Sequence, residues 1–281
     1  NSYKGILCLL FGTIVWGLIW YPYRILSDNG ITGVYSSLLS FSVTLLLSLF
    51  IYRPKTFSSL KSIDFWVYAL FGGITNIAYV LAVINGELVR VMLLFFLSPV
   101  WTIPLSFIFL KERLYLKNVI AALLALFGAF VVLWQKDFSI LSINISDVYA
   151  IIGGLGFAFT NVLARRFDGL TIKDKSYSIW LGVIIIALLS SFIFPTEVGF
   201  PAFDIKLISI LVVLGFILLV VTMVMQIGLT LVEAVRASPI FLFEIVIVGI
   251  SGYILANESL QFKDFIGGLF IILGVLISTR K

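Results

Sequence analysis

The chain has 281 residues, 61% of them apolar and only 12% charged. Soluble domains carry about a quarter charged residues, so a soluble core with a charged shell is excluded and a polytopic membrane protein is expected. The net charge of +5 comes from basic residues placed singly or in pairs between apolar runs, which marks topology rather than nucleic-acid binding.

Histidine is absent and Cys8 is the single cysteine. That excludes imidazole bases, His-based triads, cysteine clusters and an intrachain disulfide. No metal or cofactor is expected.

The first apolar segment runs from about residue 5 to 21, after Lys4, and Pro22 is expected to break it. Its length and the spans that follow mark it as a retained first span rather than a cleaved signal. Trp16, Trp20, Tyr21 and Tyr23 crowd its end. They read either as an interfacial belt or as an aromatic pocket wall, with Trp16 deep enough for the latter. The second segment, 34–52, is closed by Arg53, Pro54 and Lys55. The third, 65–84, holds Asn76 and Tyr79 on one helix face. An amide at that depth serves either a helix–helix hydrogen bond or a ligand.

The fourth segment runs to about Leu110 and contains Pro99 and Pro104. Freed carbonyls inside a bilayer require protein or water as partners, so this span is expected near the centre. Trp101 lies between the two prolines. In the fifth, 119–134, Ala121, Ala125 and Ala129 form a small-residue stripe for close packing, within the monomer or to a second copy. A polar link, 136–146, joins residues 1–135 to residues 147–281. The sixth segment, 148–164, carries Asn161 and is closed by Arg165 and Arg166, read as a topology signal. The seventh is 176–194, with Lys173 and Lys175 flanking the loop before it. The eighth is 207–230, with Gln226. The ninth, 234–255, holds Pro239 and Glu244, and the tenth is 265–278.

Glu87 to Gly128 repeats as Glu233 to Gly274, an offset of 146 residues without a gap. Glu87, Val89 and Arg90 fall on Glu233, Val235 and Arg236. Glu112, Leu114 and Lys117 fall on Glu258, Leu260 and Lys263. The period is too long for a solenoid and fits a duplicated half-protein. With the N-terminus inside, only Arg24, Arg90, Lys136, Lys206 and Lys263 of the basic residues fall outside, so both termini are expected in the cytoplasm. Five spans per half then invert the second copy. The fold class expected is all-α, with ten transmembrane helices as two inverted five-helix repeats.

The two copies resemble the EamA-type repeats of the drug/metabolite transporter superfamily. The resemblance rests on Ser98-Pro99-Val100 with Leu110-Lys111-Glu112-Arg113-Leu114, and on Glu244-Ile245-Val246 with Ala256-Asn257-Glu258-Ser259-Leu260. Both turns lack the family's glycine before the glutamate, and the second copy lacks the proline at Ile245. The resemblance implies a ten-helix carrier of small metabolites whose fifth and tenth helices stand outside the pathway. It implies lining roles for Trp16, Asn76, Tyr79, Trp101, Asn161, Gln226 and Glu244, and turn-capping roles for Glu112 and Glu258.

Glu244 lies about midway along its span, where a charge costs about 2.5–3.5 kcal/mol on the insertion scale. A proton relay, a cation ligand and a hydrogen-bonded neutral carboxyl are the readings. Glu87 with Arg90, and Glu233 with Arg236, are i,i+3 pairs expected to anchor helix ends. With no ATP-binding loop, energy must come from a gradient or exchange. The expected function is a secondary transporter of an amino acid or related amine in an inner or plasma membrane, with protons a candidate coupling ion. The expected partners are its small-molecule substrate and the lipid bilayer, not nucleic acid, and the expected state is a monomer or weak homodimer. Alternatives are an organic-cation or nucleotide-like carrier, a channel, or a receptor or scaffold. An intramembrane enzyme would need an acid, base or metal cluster that the spans lack.

Overall fold

The structure, a computed structural model, describes residues 2–31, 33–52, 58–86, 88–134, 144–193, 204–257 and 259–280. Glu87 and Glu258 lie outside the described residues. Eleven α-helices make ten membrane spans. They are α1 Ser2–Asp28, α2 Gly33–Tyr52, α3 Ile63–Asn85, α4 Leu88–Phe95, α5 Ser98–Leu105, α6 Leu116–Leu133, α7 Ile145–Arg166, α8 Ile172–Ile193, α9 Ile205–Leu231, α10 Ala234–Ala256 and α11 Phe262–Thr279. The fold is all-α, and α4, α5 and a π-helical turn at Ser106–Leu110 together form the fourth span.

Pro22 behaves differently from expectation, whereas Pro99 disrupts its span as expected. Pro22 does not end α1, which continues to Asp28 because Tyr23 and Leu26 pack into the core beyond it. Packing outweighs the lost hydrogen bond. The fourth span, by contrast, is interrupted outright. Phe96 and Leu97 form a turn, Leu97 N–H bonds back to Leu94 rather than to an i−4 carbonyl, and Pro99 has no N–H to carry the ladder on. Its counterpart α10 contains Pro239 yet runs unbroken.

The helices pair as two inverted five-helix repeats require. α1 packs on α9 as α7 packs on α3, and α1 on α10 as α7 on α4 and α5. α2 meets α8, and α6 meets α11, across the two-fold. Lys117 donates to the carbonyl of Arg280, 2.6 Å away, at the end of α11. Its repeat mate Lys263 donates to the carbonyl of Trp134, at the end of α6. Each lysine thus caps the other's partner helix, where the dipole favours a cation.

The alanine stripe of α6 packs within the monomer. A Cβ on Gly128 would lie 2.5 Å from the carbonyl of Gly267, and one on Gly274 would lie 2.8 Å from Ala125 Cβ. Small residues let the two backbones approach closely.

Arg90 and Arg236 both make long-range contacts; among the described residues Glu233 forms no ion pair with Arg236, and the expected partner of Arg90, Glu87, lies outside the described residues. Arg90 forms a two-point ion pair with Asp147 at the start of α7. Arg236 donates to the carbonyls of Ser278 and Thr279 and to Ser2 Oγ, at 3.0, 3.5 and 3.3 Å. An i,i+3 partner beside a helix start cannot compete with unpaired carbonyls at another helix's end. Glu112 likewise caps a distant helix rather than its own turn. Its Oε1 lies 3.1 Å from Arg165 Nε and 3.5 Å from the backbone nitrogen of Ala234, the first residue of α10. α8 begins at Ile172, before the expected start of the seventh span, so Lys175 lies within the helix, buried, and donates to the carbonyl of Ala164 at 2.6 Å.

Candidate functional site

Eight helices converge on a central cavity of about 180 Å³. α3 contributes Gly72, Thr75, Asn76 and Tyr79, and α9 contributes Thr222, Met225, Gln226 and Leu229. Both sets follow the i, i+3, i+4, i+7 spacing of a single helix face. The repeat mates Asn76 and Thr222, Tyr79 and Met225, and Phe95 and Phe241 all line it, so the cavity straddles the two-fold. None of its lining residues comes from α6 or α11.

Glycines on α7 and α1 set the walls. A Cβ on Gly154 would come within 2.5 Å of the Phe95 carbonyl, and one on Gly156 within 2.8 Å of Thr75 Oγ1. α7 can therefore press against the end of α4 at the interruption. Gly17 allows α1 to approach α10 beside Glu244, whose backbone oxygen would lie 3.2 Å from an added Cβ. One turn further, Trp20 Nε1 donates to Ser251 Oγ at 2.9 Å and ties the same helices together.

One wall is aromatic. Tyr79, Phe95, Phe157 and Phe241 form a chain with successive ring centroids 4.9, 5.6 and 5.0 Å apart. Trp16 also lines the cavity.

The polar lining is rich in acceptors. Thr13, Thr75 and Thr160 each donate the hydroxyl hydrogen to a carbonyl of their own helix, at 2.8, 2.7 and 2.9 Å, which leaves only lone pairs to offer. The Oδ1 atoms of Asn76 and Asn161 are buried without a hydrogen-bond partner. Gln226 is held by Tyr68, whose hydroxyl donates to its Oε1 at 2.9 Å. Among the described residues, Glu244 is the one acidic residue of the lining, and no Lys or Arg lines it. Among the described residues, neither ion pair involves Glu244.

Of the seven lining residues expected from sequence, Trp16, Asn76, Tyr79, Asn161, Gln226 and Glu244 come together here. Trp101 does not. It is 36% exposed, while Ser98, Thr102 and Ser106 carry the buried face of that segment. The interruption before Pro99 sets that face, and Trp101 falls off it toward the outside. The threonines were missed in the sequence, since each looks like any hydroxyl satisfied within its own membrane helix. Phe95, Phe157 and Phe241 were hidden among the 26 phenylalanines of the chain.

Two segments, 3–134 and 144–280, match the model of the EamA-like transporter family. The chain belongs to that family. It is 30% identical to an uncharacterized transporter of Archaeoglobus fulgidus over 76% of this chain and 75% of that one. It is 25% identical to an uncharacterized transporter of Clostridium kluyveri over 66% of this chain and 61% of that one. A crystal structure with 16% sequence identity superposes with a TM-score of 0.80, covering 98% of this chain and 96% of the other, so the two share a fold. The protein is an integral membrane secondary transporter of a small molecule, not an enzyme.

Proposed function

We propose that this transporter carries a small metabolite bearing an amino group, an amino acid or a related amine, by alternating access driven by a gradient or by exchange. The observation that carries the reading is Glu244, a carboxyl without an ion-pair partner among the described residues, in a cavity otherwise lined by uncharged side chains, among them aromatic rings, threonine hydroxyls and the amides of Asn76, Asn161 and Gln226. A cationic amine satisfies such a group, and aromatic faces add about 0.5–2 kcal/mol to cation binding. The volume of about 180 Å³ lies below the roughly 300 Å³ at which drug-sized pockets begin, which favours a compact head group.

A proton on Glu244 in the substrate-free state would keep the charge balanced and couple amine movement to protons. The distribution of basic residues supports an inner or plasma membrane protein with both termini cytoplasmic. Under that orientation, cysteines replacing Gly169 and Asn29, both exposed, label from the cytoplasmic and outer faces respectively.

The test of function is counterflow in proteoliposomes with radiolabelled amino acids and their decarboxylated amines. Amine-bearing substrates should be accumulated by wild type, and Glu244→Gln, which keeps the shape, should lower uptake at least tenfold while inserting normally. Unchanged uptake in the glutamine variant, with unchanged pH dependence, would leave Glu244 as a packing residue and end this reading.

A further inference from the structure

A second cavity lies beside the first. It has a volume of about 300 Å³ and is bounded by Leu93, Phe96 and Leu97 on one side and by the α6 residues Leu123, Leu126, Phe127, Ala129, Phe130 and Leu133 on the other. Every lining side chain is apolar. All of them fall within membrane-spanning stretches, Arg90–Leu110 and Leu116–Leu133. At that depth the surrounding solvent is hydrocarbon.

Phe96 belongs to both cavities. It sits in the turn between α4 and α5, where the helical ladder is interrupted, and it is 4% exposed. The second half has no such interruption. There the equivalent Leu242 is wholly buried in an unbroken helix that packs against both α6 and α11. Among the described residues, the interruption is confined to the first of the two equivalent spans.

We propose that the substrate is an amphiphilic amine: its cationic head occupies the central cavity near Glu244, and its hydrocarbon tail lies in the crevice between α4 and α6, with Phe96 as the movable wall between them. This rests on the amine reading of Glu244 and adds the tail and its route. Three observations point the same way. The crevice offers no polar side chain that a soluble group would need. It shares the wall residue Phe96 with the central cavity that holds Glu244. That wall stands at the interruption of the fourth span: Phe96 N–H still bonds to the Met92 carbonyl at 2.9 Å, but the next N–H, of Leu97, turns to Leu94, and Pro99 has none to give, so the ladder is weakest immediately beyond it.

The test uses the full chain in lipid nanodiscs, with tetramethylammonium and octyltrimethylammonium as probes and tryptophan fluorescence as the readout. The measured quantity is the ratio of the two dissociation constants, compared between wild type and Leu123→Trp. Leu123 is exposed to the bilayer, so a larger ring there fills the crevice without disturbing the core. Comparing variants in one lipid cancels probe partitioning. The ratio is expected to favour the octyl probe in wild type and to fall at least fivefold in Leu123→Trp. An equal ratio in both proteins would overturn the proposal and leave the crevice to annular lipid only. Glu244→Gln separates the two readings: if it leaves tetramethylammonium binding unchanged, the amine reading fails and the tail proposal with it. If it abolishes that binding while the ratios are equal, only the tail proposal fails.

Discussion

Arg90 grips Asp147 through two parallel hydrogen bonds, 2.7 Å from Nε to Oδ1 and 2.6 Å from Nη2 to Oδ2. The pair joins the start of α4 in the first repeat to the start of α7 in the second. The side chains are only 15% and 4% exposed, and Asp147 also accepts from the backbone of Asn144 as part of a capping box.

Removing one member of such a pair leaves an uncompensated buried charge, a loss of about 3–5 kcal/mol. Asp147→Ala should therefore lower the melting temperature more than Arg90→Lys, which keeps the charge but loses the fork geometry. The exchange Arg90→Asp with Asp147→Arg should not restore stability, because arginine cannot accept from the Asn144 N–H. Thermal unfolding in detergent, followed by fluorescence, measures all three. Full rescue by the exchange would show that the cap contributes nothing.

Glu112 links stability to pH. Burial pushes its carboxyl above the usual glutamate range despite the Arg165 guanidinium 3.1 Å away, and its Oε2 has no hydrogen-bond partner. A carboxyl raised on folding adds stability that is present below its unfolded value and lost as pH rises through its folded value. The wild type should gain stability over Glu112→Gln as the pH falls from neutral toward the glutamate range. A pH series of melting temperatures for both proteins tests the sign. A difference that runs the other way would mean that Arg165 outweighs burial.

Lys111 and Asn257 occupy the same position in the two repeats, and both adopt left-handed backbone, with φ of 54° and 55°. The conformation costs about 1–2 kcal/mol for most side chains, and asparagine tolerates it better. After the unfolded-state cost of glycine, Lys111→Gly should stabilise the protein by about 0.5–1 kcal/mol and Asn257→Gly by less. Chemical denaturation compares them. Destabilisation by Lys111→Gly would place the lysine side chain, not its backbone, in control of the turn.

Trp101→Ala should leave transport within about twofold of wild type, because the side chain faces away from the cavity; the expected energetic effect of an exposed substitution is within about 0.5 kcal/mol. The uptake assay that defines the substrate decides it. A tenfold loss would mean that α5 turns during the cycle and carries Trp101 inward.

The spans and the duplication were legible because hydropathy and a fixed offset are properties of the sequence itself. The matched lysines Lys117 and Lys263 announced the repeat, although their partners, the carbonyls of Arg280 and Trp134, carry no sequence signal. Glu233 and Arg236 suggested a local pair because they stand at i and i+3, but open carbonyls brought in by α11 took the arginine. Asp147, 57 residues from Arg90, could not be named as its partner from spacing. Asn76, Asn161 and Glu244 were visible as polar groups at depth. Trp101 was misjudged because its direction depends on where the fourth span is interrupted, and the sequence marks the proline but not the resulting rotation.

The interruption at Phe96 and Leu97 bears on how the carrier rests. Two identical halves would make the inward-facing and outward-facing forms related by a two-fold rotation and equal in free energy, each occupied half the time. One half here bends at a joint, and the other keeps a whole helix through the same place. The two forms are then no longer related by symmetry, and a difference of about 1.4 kcal/mol sets a tenfold preference for one side without any ligand. An idle population skewed toward one membrane face is the expected outcome, measurable by the accessibility of a cysteine replacing Thr222 from either side; equal labelling from both sides would show that the joint is energetically silent.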